Sequence, residues 1–236
     1  MASGAHPDDI ELGVGGTLAV LAAQGYRVAM VDLTRGELAT RGNVDTRAAE
    51  AQEAARVLGV AHRENAGLPD GGLRNDDSQR QVVAGILRRL RPRLLLAQGT
   101  PDRHPDHLAA HELTRDAHFY AGVARYPAEG ARHRADDVWW YHPYALPDAP
   151  PAWVSDIGAQ WETKLAALRA HRSQFHDPGR DAPETMVSSP AFWEGIEIRA
   201  RFWGAAIGAV HGEPLWRSGP ARVNWTTWLG QPHTQG

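Results

Sequence analysis

Residues 13–33 read GVGGTLAVLAAQGYRVAMVDL. From Gly13 to Gln24 the apolar side chains recur at helical spacing, and Gly25 then supplies the left-handed residue that commonly ends a helix. Tyr26 to Leu33 is a short, nearly continuous apolar run, as a strand covered on both faces requires. A helix that hands over at once to a buried strand is half of the crossover unit that builds parallel sheets. The pattern continues downstream. Asp45 to Leu58 is an Ala-rich helix ended by Gly59, Gly67 to Asp77 is rich in turn residues, and Ser78 to Leu90 is an amphipathic helix. Pro92 to Gln98 (PRLLLAQ) is a second buried strand, and a helix runs from His107 to about Tyr120. Strands alternating with helices predict an α/β fold with a mostly parallel sheet and helices on both faces. Ligand sites in such sheets gather beyond the C-terminal strand ends.

Past Tyr120 the pattern loosens. Val138 to Leu146 (VWWYHPYAL) alternates like a strand, and Pro147 to Pro151 interrupts it. Ser155 to His171 has helical spacing with Ser155 or Asp156 as N-cap. His176 to Pro190 reads as a loop, Ala191 to Val210 as an aromatic-rich helix, and the tail has no pattern. There is no repeat and no linker composition, so residues 1–236 are expected to form one domain with an elaborated C-terminal part.

Composition narrows the function classes. Hydrophobic residues are 42% and charged residues 22%, with a net charge of −3, and the arginines form no basic stripe of the kind that binds nucleic acid. Lys164 is the only lysine, so arginine carries nearly all positive charge. No apolar run approaches the ~20 residues of a membrane span, and the N-terminus lacks the pattern of a signal peptide. The absence of cysteine excludes disulfides and thiolate ligands, and a cytoplasmic location is expected. The nine tryptophans are expected in the core, at subunit contacts or along a sugar site.

The chemistry gathers in two clusters, Gly4-Ala5-His6-Pro7-Asp8-Asp9 and Arg103-His104-Pro105-Asp106-His107, each where a strand should hand over to a helix. Pro7 restrains His6 to extended backbone and so fixes where its imidazole leaves the strand. Asp8 and Asp9 are adjacent and point different ways: one is free to bind a metal while the other faces the water beside it. His104 and His107 are three apart at a loop–helix junction, so one is free to ligate while the other moves protons, with Asp106 as a hydrogen-bond partner for the latter. Two imidazoles and a carboxylate around an open position are a hydrolytic zinc set, which points to metal-assisted hydrolysis. Gly13, Gly15 and Gly16 allow close approach of backbone to a ligand, but GVGG lacks dinucleotide-binding spacing. Either cluster alone also reads as a polar turn.

At these residues the chain resembles the zinc-dependent N-acetylglucosamine deacetylases of the LmbE-like, or PIG-L, family, and most nearly the bacillithiol-biosynthesis deacetylases. The resemblance runs through Asp32-Leu33-Thr34-Arg35-Gly36-Glu37-Leu38, Arg41-Gly42, Thr46-Arg47, Glu53-Ala54-Ala55, Leu68-Pro69-Asp70 and Ala170-His171-Arg172-Ser173-Gln174-Phe175, over roughly positions 4–220. It implies a Rossmann-like α/β domain with His6, Asp9 and His107 as zinc ligands. It makes Asp8 the general base, His104 paired with Asp106 the general acid or oxyanion stabiliser, and Arg47 and Arg103 the substrate contacts. The implied substrate is a small N-acetylglucosaminyl conjugate, N-acetylglucosaminyl malate in the subgroup, and the implied assembly is a homo-oligomer, hexamers included. The same ligands suit Fe(II), Co(II) or Mn(II).

One departure stands out. Only Met1 to Ala5 precede His6, where relatives have a longer apolar strand, and so short a strand is expected to weaken the platform for the first cluster. Other readings of the site are an amidase or deacetylase for another amino-sugar conjugate, and a non-catalytic metal or sugar binder. His111, one turn past His107, is expected to be a satisfied helix histidine, and His171 to Gln174 to be structural or supporting. Glu11 and Glu37 fit either substrate hydroxyls or solvent.

Overall fold

The computed structural model describes residues 1–175 and 183–220. Along them run β1 (Ala2–Gly4), α1 (Asp9–Ala23), β2 (Ala29–Thr34), α2 (Val44–Val57), β3 (His62–Leu68), α3 (Asp77–Leu90) and β4 (Leu94–Gln98). There follow α4 (Pro105–Ala121), β5 (Asp137–Tyr141), β6 (Trp153–Asp156), a 3-10 turn (Gly158–Gln160), α5 (Trp161–Ala170), α6 (Pro190–Ala205) and β7 (Gly212–Arg217). No helix among the described residues is long and apolar enough to cross a membrane.

The strands form one sheet in the order β3-β2-β1-β4-β5-β7-β6. β1 to β5 are parallel, and β7 runs antiparallel to both β5 and β6. The alternation of β4 shows how the sheet is covered. Leu95 and Ala97 pack with Val83 and Leu87 of α3 and Leu113 and Ala117 of α4. Leu96 packs on the other face with Ile10 and Leu18 of α1, Ala54 of α2 and Ala167 of α5. The expected mostly parallel sheet with helices on both faces is therefore what forms.

β1 has only three residues, yet all are buried, and Ala2 and Ser3 are paired on both sides, Ala2 with Met30 and with Leu96. Tyr141 adds a third tie, its hydroxyl donating to Ser3 O at 2.9 Å. The short strand is thus clamped rather than weak. From β1 the chain builds β2 and β3 to one side and then crosses to β4 on the other, so a crevice opens at the C-terminal ends of β1 and β4. Both sequence clusters leave the sheet there.

Three local expectations change, and one strand forms where the sequence predicts none. β3 reads HRENAGL and carries no strand pattern, because as an edge strand it exposes charge and buries only Arg63 and Leu68. Ser155 and Asp156 are strand rather than helix, held by pairing with Glu213 and Gly212, and α5 begins only at Trp161. Part of the tail expected to lack pattern is β7, inserted between β5 and β6. The glycine-rich stretch approaches protein, not ligand: it lies inside α1, and a Cβ on Gly13 would sit 2.1 Å from Tyr141 Cδ2. Gly25 does end α1 with positive φ. Residues 176–182 of the expected loop, and the chain from 221 onward, lie outside the described residues.

Candidate metal centre

The first cluster leaves β1 through a tight, heavily bonded turn. Ala5 N donates to Gln98 Oε1 at 2.7 Å, and Thr34 Oγ1 donates to Ala5 O at 2.9 Å, so β4 and β2 fix the turn from both sides. Asp8, the N-cap of α1, has φ 118° and ψ −28°. A non-glycine residue there carries strain of about 1–3 kcal/mol, held in place by its surroundings. Arg47 of α2 is the main restraint. Its Nη2 donates to Pro7 O at 2.7 Å and lies 3.3 Å from Asp8 Oδ2, while Nη1 donates to Gly36 O at 3.0 Å. Burial pushes the Asp8 carboxyl up to about 6 against the pull of Arg47, with Asp9 adding to the rise.

The second cluster is set by the start of α4. His104 is the N-cap, and Pro105 suits the first helical position, where no N–H is needed. His104 Nδ1 accepts from Asp106 N at 3.2 Å, which leaves Nε2 as the nitrogen carrying the proton. Asp102 Oδ1 accepts from His104 N at 2.9 Å. Burial and the neighbouring His6 and His107 lower the His104 pKa.

The two clusters meet on Asp9, whose side chain is almost wholly enclosed. Its Oδ2 lies 3.2 Å from His107 Nε2 and 3.4 Å from His6 Nδ1. The far nitrogen of each ring is held by carboxylate: His107 Nδ1 by Asp102 at 3.1 Å, and His6 Nε2 by Asp70 at 3.1 Å and Asp106 at 3.3 Å. Ligating histidines are oriented in this way, by a carboxylate on the nitrogen away from the metal. Ring nitrogens of His6, His104 and His107 all lie within 4.8 Å of one another. Charge points the same way. Burial alone would lower the His6 pKa, but Asp106, Asp70 and Asp9 outweigh it and push it up to about 12. Burial likewise opposes His107, yet Asp9 and Asp102 raise it to about 9. A nest this rich in carboxylates draws positive charge, and a divalent cation fits both its charge and its N/O donors.

The remaining expected residues divide. The Asp106 carboxylate does not pair with His104: it accepts from Gly71 N at 2.7 Å and faces His6, while only the Asp106 backbone meets His104. The cause is the cap, because a His104 Nδ1 bonded to the helix amide cannot also receive that carboxylate. Arg47 is buried against Asp8 rather than open to the crevice, whereas Arg103 is exposed, 5.6 Å from the Tyr144 ring. His111 bonds Gln98 O at 3.1 Å and packs on Trp140 as a satisfied helix histidine.

Glu11 meets neither solvent nor an open crevice. It is wholly buried, taking Arg63 Nη1 at 2.5 Å and His171 Nε2 at 2.8 Å, and Arg63 also forks onto both oxygens of Asp32. Burial would raise the Glu11 pKa, but Arg63 and His171 bring it down to about 2. Ser173 bonds Glu50, and Gln174 donates to Arg41 O at 2.7 Å, so this segment supports the scaffold. Glu37 accepts from Asp70 N at 3.0 Å.

Sequence reading missed three residues here. Asp70 and Asp102 hold the ligand-like rings, and Tyr144 stacks on His107 with centroids 5.4 Å apart and its hydroxyl 3.5 Å from Asp9 Oδ1. Asp102 stood one residue before the second cluster and Asp70 in a quoted segment, but neither spacing reveals which ring it faces.

Comparison with known proteins agrees with this geometry. Residues 1–118 match the model of the family described as PIG-L, GlcNAc-PI de-N-acetylase. A 1D-myo-inositol 2-acetamido-2-deoxy-alpha-D-glucopyranoside deacetylase from Saccharopolyspora erythraea is 30% identical, the match covering 80% of this chain and 88% of that one. The crystal structure of the conserved protein TT1542 from Thermus thermophilus superposes with a TM-score of 0.85 at 36% identity, covering 100% of this chain and 98% of that one. The N,N'-diacetylchitobiose deacetylase of Pyrococcus horikoshii superposes at 0.76 with 26% identity, over 91% and 81%. These likenesses spread across the family and do not mark out its bacillithiol subgroup. With the relatives, the sheet order and the His/Asp centre in agreement, this chain belongs to the PIG-L, GlcNAc-PI de-N-acetylase family.

Proposed function

We propose that this chain is a zinc-dependent hydrolase that removes the acetyl group from a small N-acetylglucosaminyl conjugate. Family membership supports deacetylation of the N-acetylglucosamine type. The observation that carries the metal reading is Asp9 Oδ2, faced by two imidazole nitrogens whose opposite nitrogens are each held by carboxylate.

His6, Asp9 and His107 would hold the ion, and a bound zinc supplies polarisation of the acetyl carbonyl and acidification of a water. Asp8, strained into place beside Asp9 and raised towards neutrality, accepts the proton of the attacking water. Arg47 keeps the Asp8 carboxylate in that position. His104, whose helix cap leaves the proton on Nε2, donates a hydrogen bond to the acetyl oxygen as it gains charge, and Asp8 passes the proton it took from water to the departing amine. Water and amide thus become acetate and a free glucosaminyl amine. Arg103, exposed at the crevice, offers a planar fork to a carboxylate on the aglycone, and N-acetylglucosaminyl malate carries such groups.

The test is acetate release from the malate conjugate, the inositol conjugate, diacetylchitobiose and free N-acetylglucosamine, before and after chelation with zinc add-back. Turnover that chelator abolishes and zinc restores supports the reading. A folded, zinc-loaded protein that releases no acetate from any of them overturns it and leaves a metal-binding relative. Equal turnover of malate conjugate and free sugar would remove the role given to Arg103.

A further inference from the structure

α1 is continuous only on either side of Val14, whose φ of −140° and ψ of 16° break it. A break strands backbone groups that a helix would pair. Two side chains from the C-terminal half meet them. Glu213, on β7, accepts from Gly16 N at 2.9 Å and from both Thr17 N and Thr17 Oγ1 at 2.6 Å. Lys164, on α5, donates to Leu12 O at 2.8 Å and to Glu213 Oε1 at 2.5 Å. Lys164 is 3% exposed and Glu213 2%.

Upstream of the break lies little more than one turn, Asp9 to Gly13, and it carries the Asp8–Asp9 pair on its leading end. Arg47 holds that leading end, while Lys164 holds the trailing carbonyl. A buried ion pair is a poor source of net stability, since its desolvation cancels much of its attraction. What this pair supplies is direction. Lys164 is also the single lysine among 25 basic residues. Its ammonium donates along divergent lines, to a carbonyl on one side and a carboxylate on another, and a flat guanidinium on a longer stem does not reproduce that.

We propose that Lys164 and Glu213 are positioning residues of the metal centre, fixing the Asp9–Gly13 turn and, through it, the Asp8 and Asp9 carboxylates. This rests on the metal-centre reading above and extends it to the C-terminal part of the fold.

The experiment compares Glu213→Gln and Lys164→Arg with Val83→Ala, which thins the core on the opposite face of the sheet. Thr17→Val, lacking only the hydroxyl arm, is the mildest member and remains informative if a stronger variant does not fold. Three quantities are read: zinc affinity of the metal-free protein by chelator competition, amide hydrogen exchange at Leu12 and Gly13, and kcat with KM. Glu213→Gln and Lys164→Arg should bind zinc at least tenfold more weakly and exchange at least tenfold faster at those amides. Their kcat should fall with KM within twofold. Thr17→Val should move the same way by a smaller factor, and Val83→Ala should lower Tm while leaving all three within twofold. Unchanged affinity and exchange in the pair variants, or an equal loss in Val83→Ala, overturns the proposal. If the unaltered chain binds no zinc, the metal reading fails by itself, and the exchange comparison still decides whether the pair fixes the turn.

Discussion

Asp102 Oδ2 lies 3.1 Å behind His107 Nδ1, on the side of the ring away from Asp9. A carboxylate on that side favours a proton on Nδ1 and so favours Nε2 as the nitrogen that would meet a metal. Replacing Asp102 by Asn should therefore weaken zinc binding about 10–100-fold, the usual effect of losing such a partner, without removing a ligand. His107→Ala should weaken it further. Chelator competition on the two purified variants measures both, and an Asp102→Asn protein with unchanged affinity would contradict the role given to this contact.

Asp8 separates catalysis from stability. Asp8→Ala should nearly abolish acetate release and leave zinc content close to unchanged, because Asp9 and not Asp8 is the proposed ligand. Asp8→Gly should be as inactive, yet more stable than Asp8→Ala by about 1–3 kcal/mol, since glycine occupies φ 118° without the strain of a side chain. Urea unfolding of both metal-free variants checks the difference. Loss of zinc from Asp8→Ala would mean that the two aspartates have exchanged roles.

Much of this was legible in sequence because the information was local. The apolar run ending at Leu33 and the glycine after α1 encode a crossover by period and cap alone, and the two clusters stand at strand ends for the same reason. What stayed hidden depends on partners distant in sequence. Ser155 and Asp156 become strand only because β7 lies alongside them, and β7 has no alternation marked enough to announce itself. His62 to Leu68 looks polar because its one buried charge, Arg63, is neutralised by Glu11 and Asp32 from two other elements. Within the site, residue types were readable but pairings were not. Asp106 sits two positions from His104, yet the helix cap turns its carboxylate towards His6.

Arg88 offers a test of stability apart from the site. It is 4% exposed, and its guanidinium donates to the carbonyls of Ala121, Val123, Tyr126, Ala128 and Gly130, closing the end of α4 and the loop after it. Arg88→Met keeps the apolar stem but leaves these carbonyls without their donor. It should cost about 3 kcal/mol, as a buried network lost at once does, with kcat of the folded fraction unchanged. Denaturant unfolding beside an activity titration measures both. A loss below about 1 kcal/mol would show that water replaces the guanidinium.

His142 gives stability a pH dependence whose sign is fixed by burial. The ring packs edge-on against Trp216 with centroids 4.7 Å apart, its Nδ1 has no hydrogen-bond partner, and burial lowers its pKa to about 4. Between that value and the 6.5 of an unhindered histidine, the unfolded chain binds a proton that the folded chain refuses. His142 therefore costs nothing above pH 6.5, and its contribution is lost progressively as pH falls through the window to about 4. One such proton corresponds to a slope of up to about 1.4 kcal/mol per pH unit. His142→Phe retains the edge-on packing and cannot titrate. Unfolding free energies at pH 7, 6 and 5 should thus fall less steeply for the variant, by the equivalent of one proton. Parallel slopes would mean that His142 is protonated in the folded protein as readily as in the unfolded chain, and that its burial is relieved by solvent.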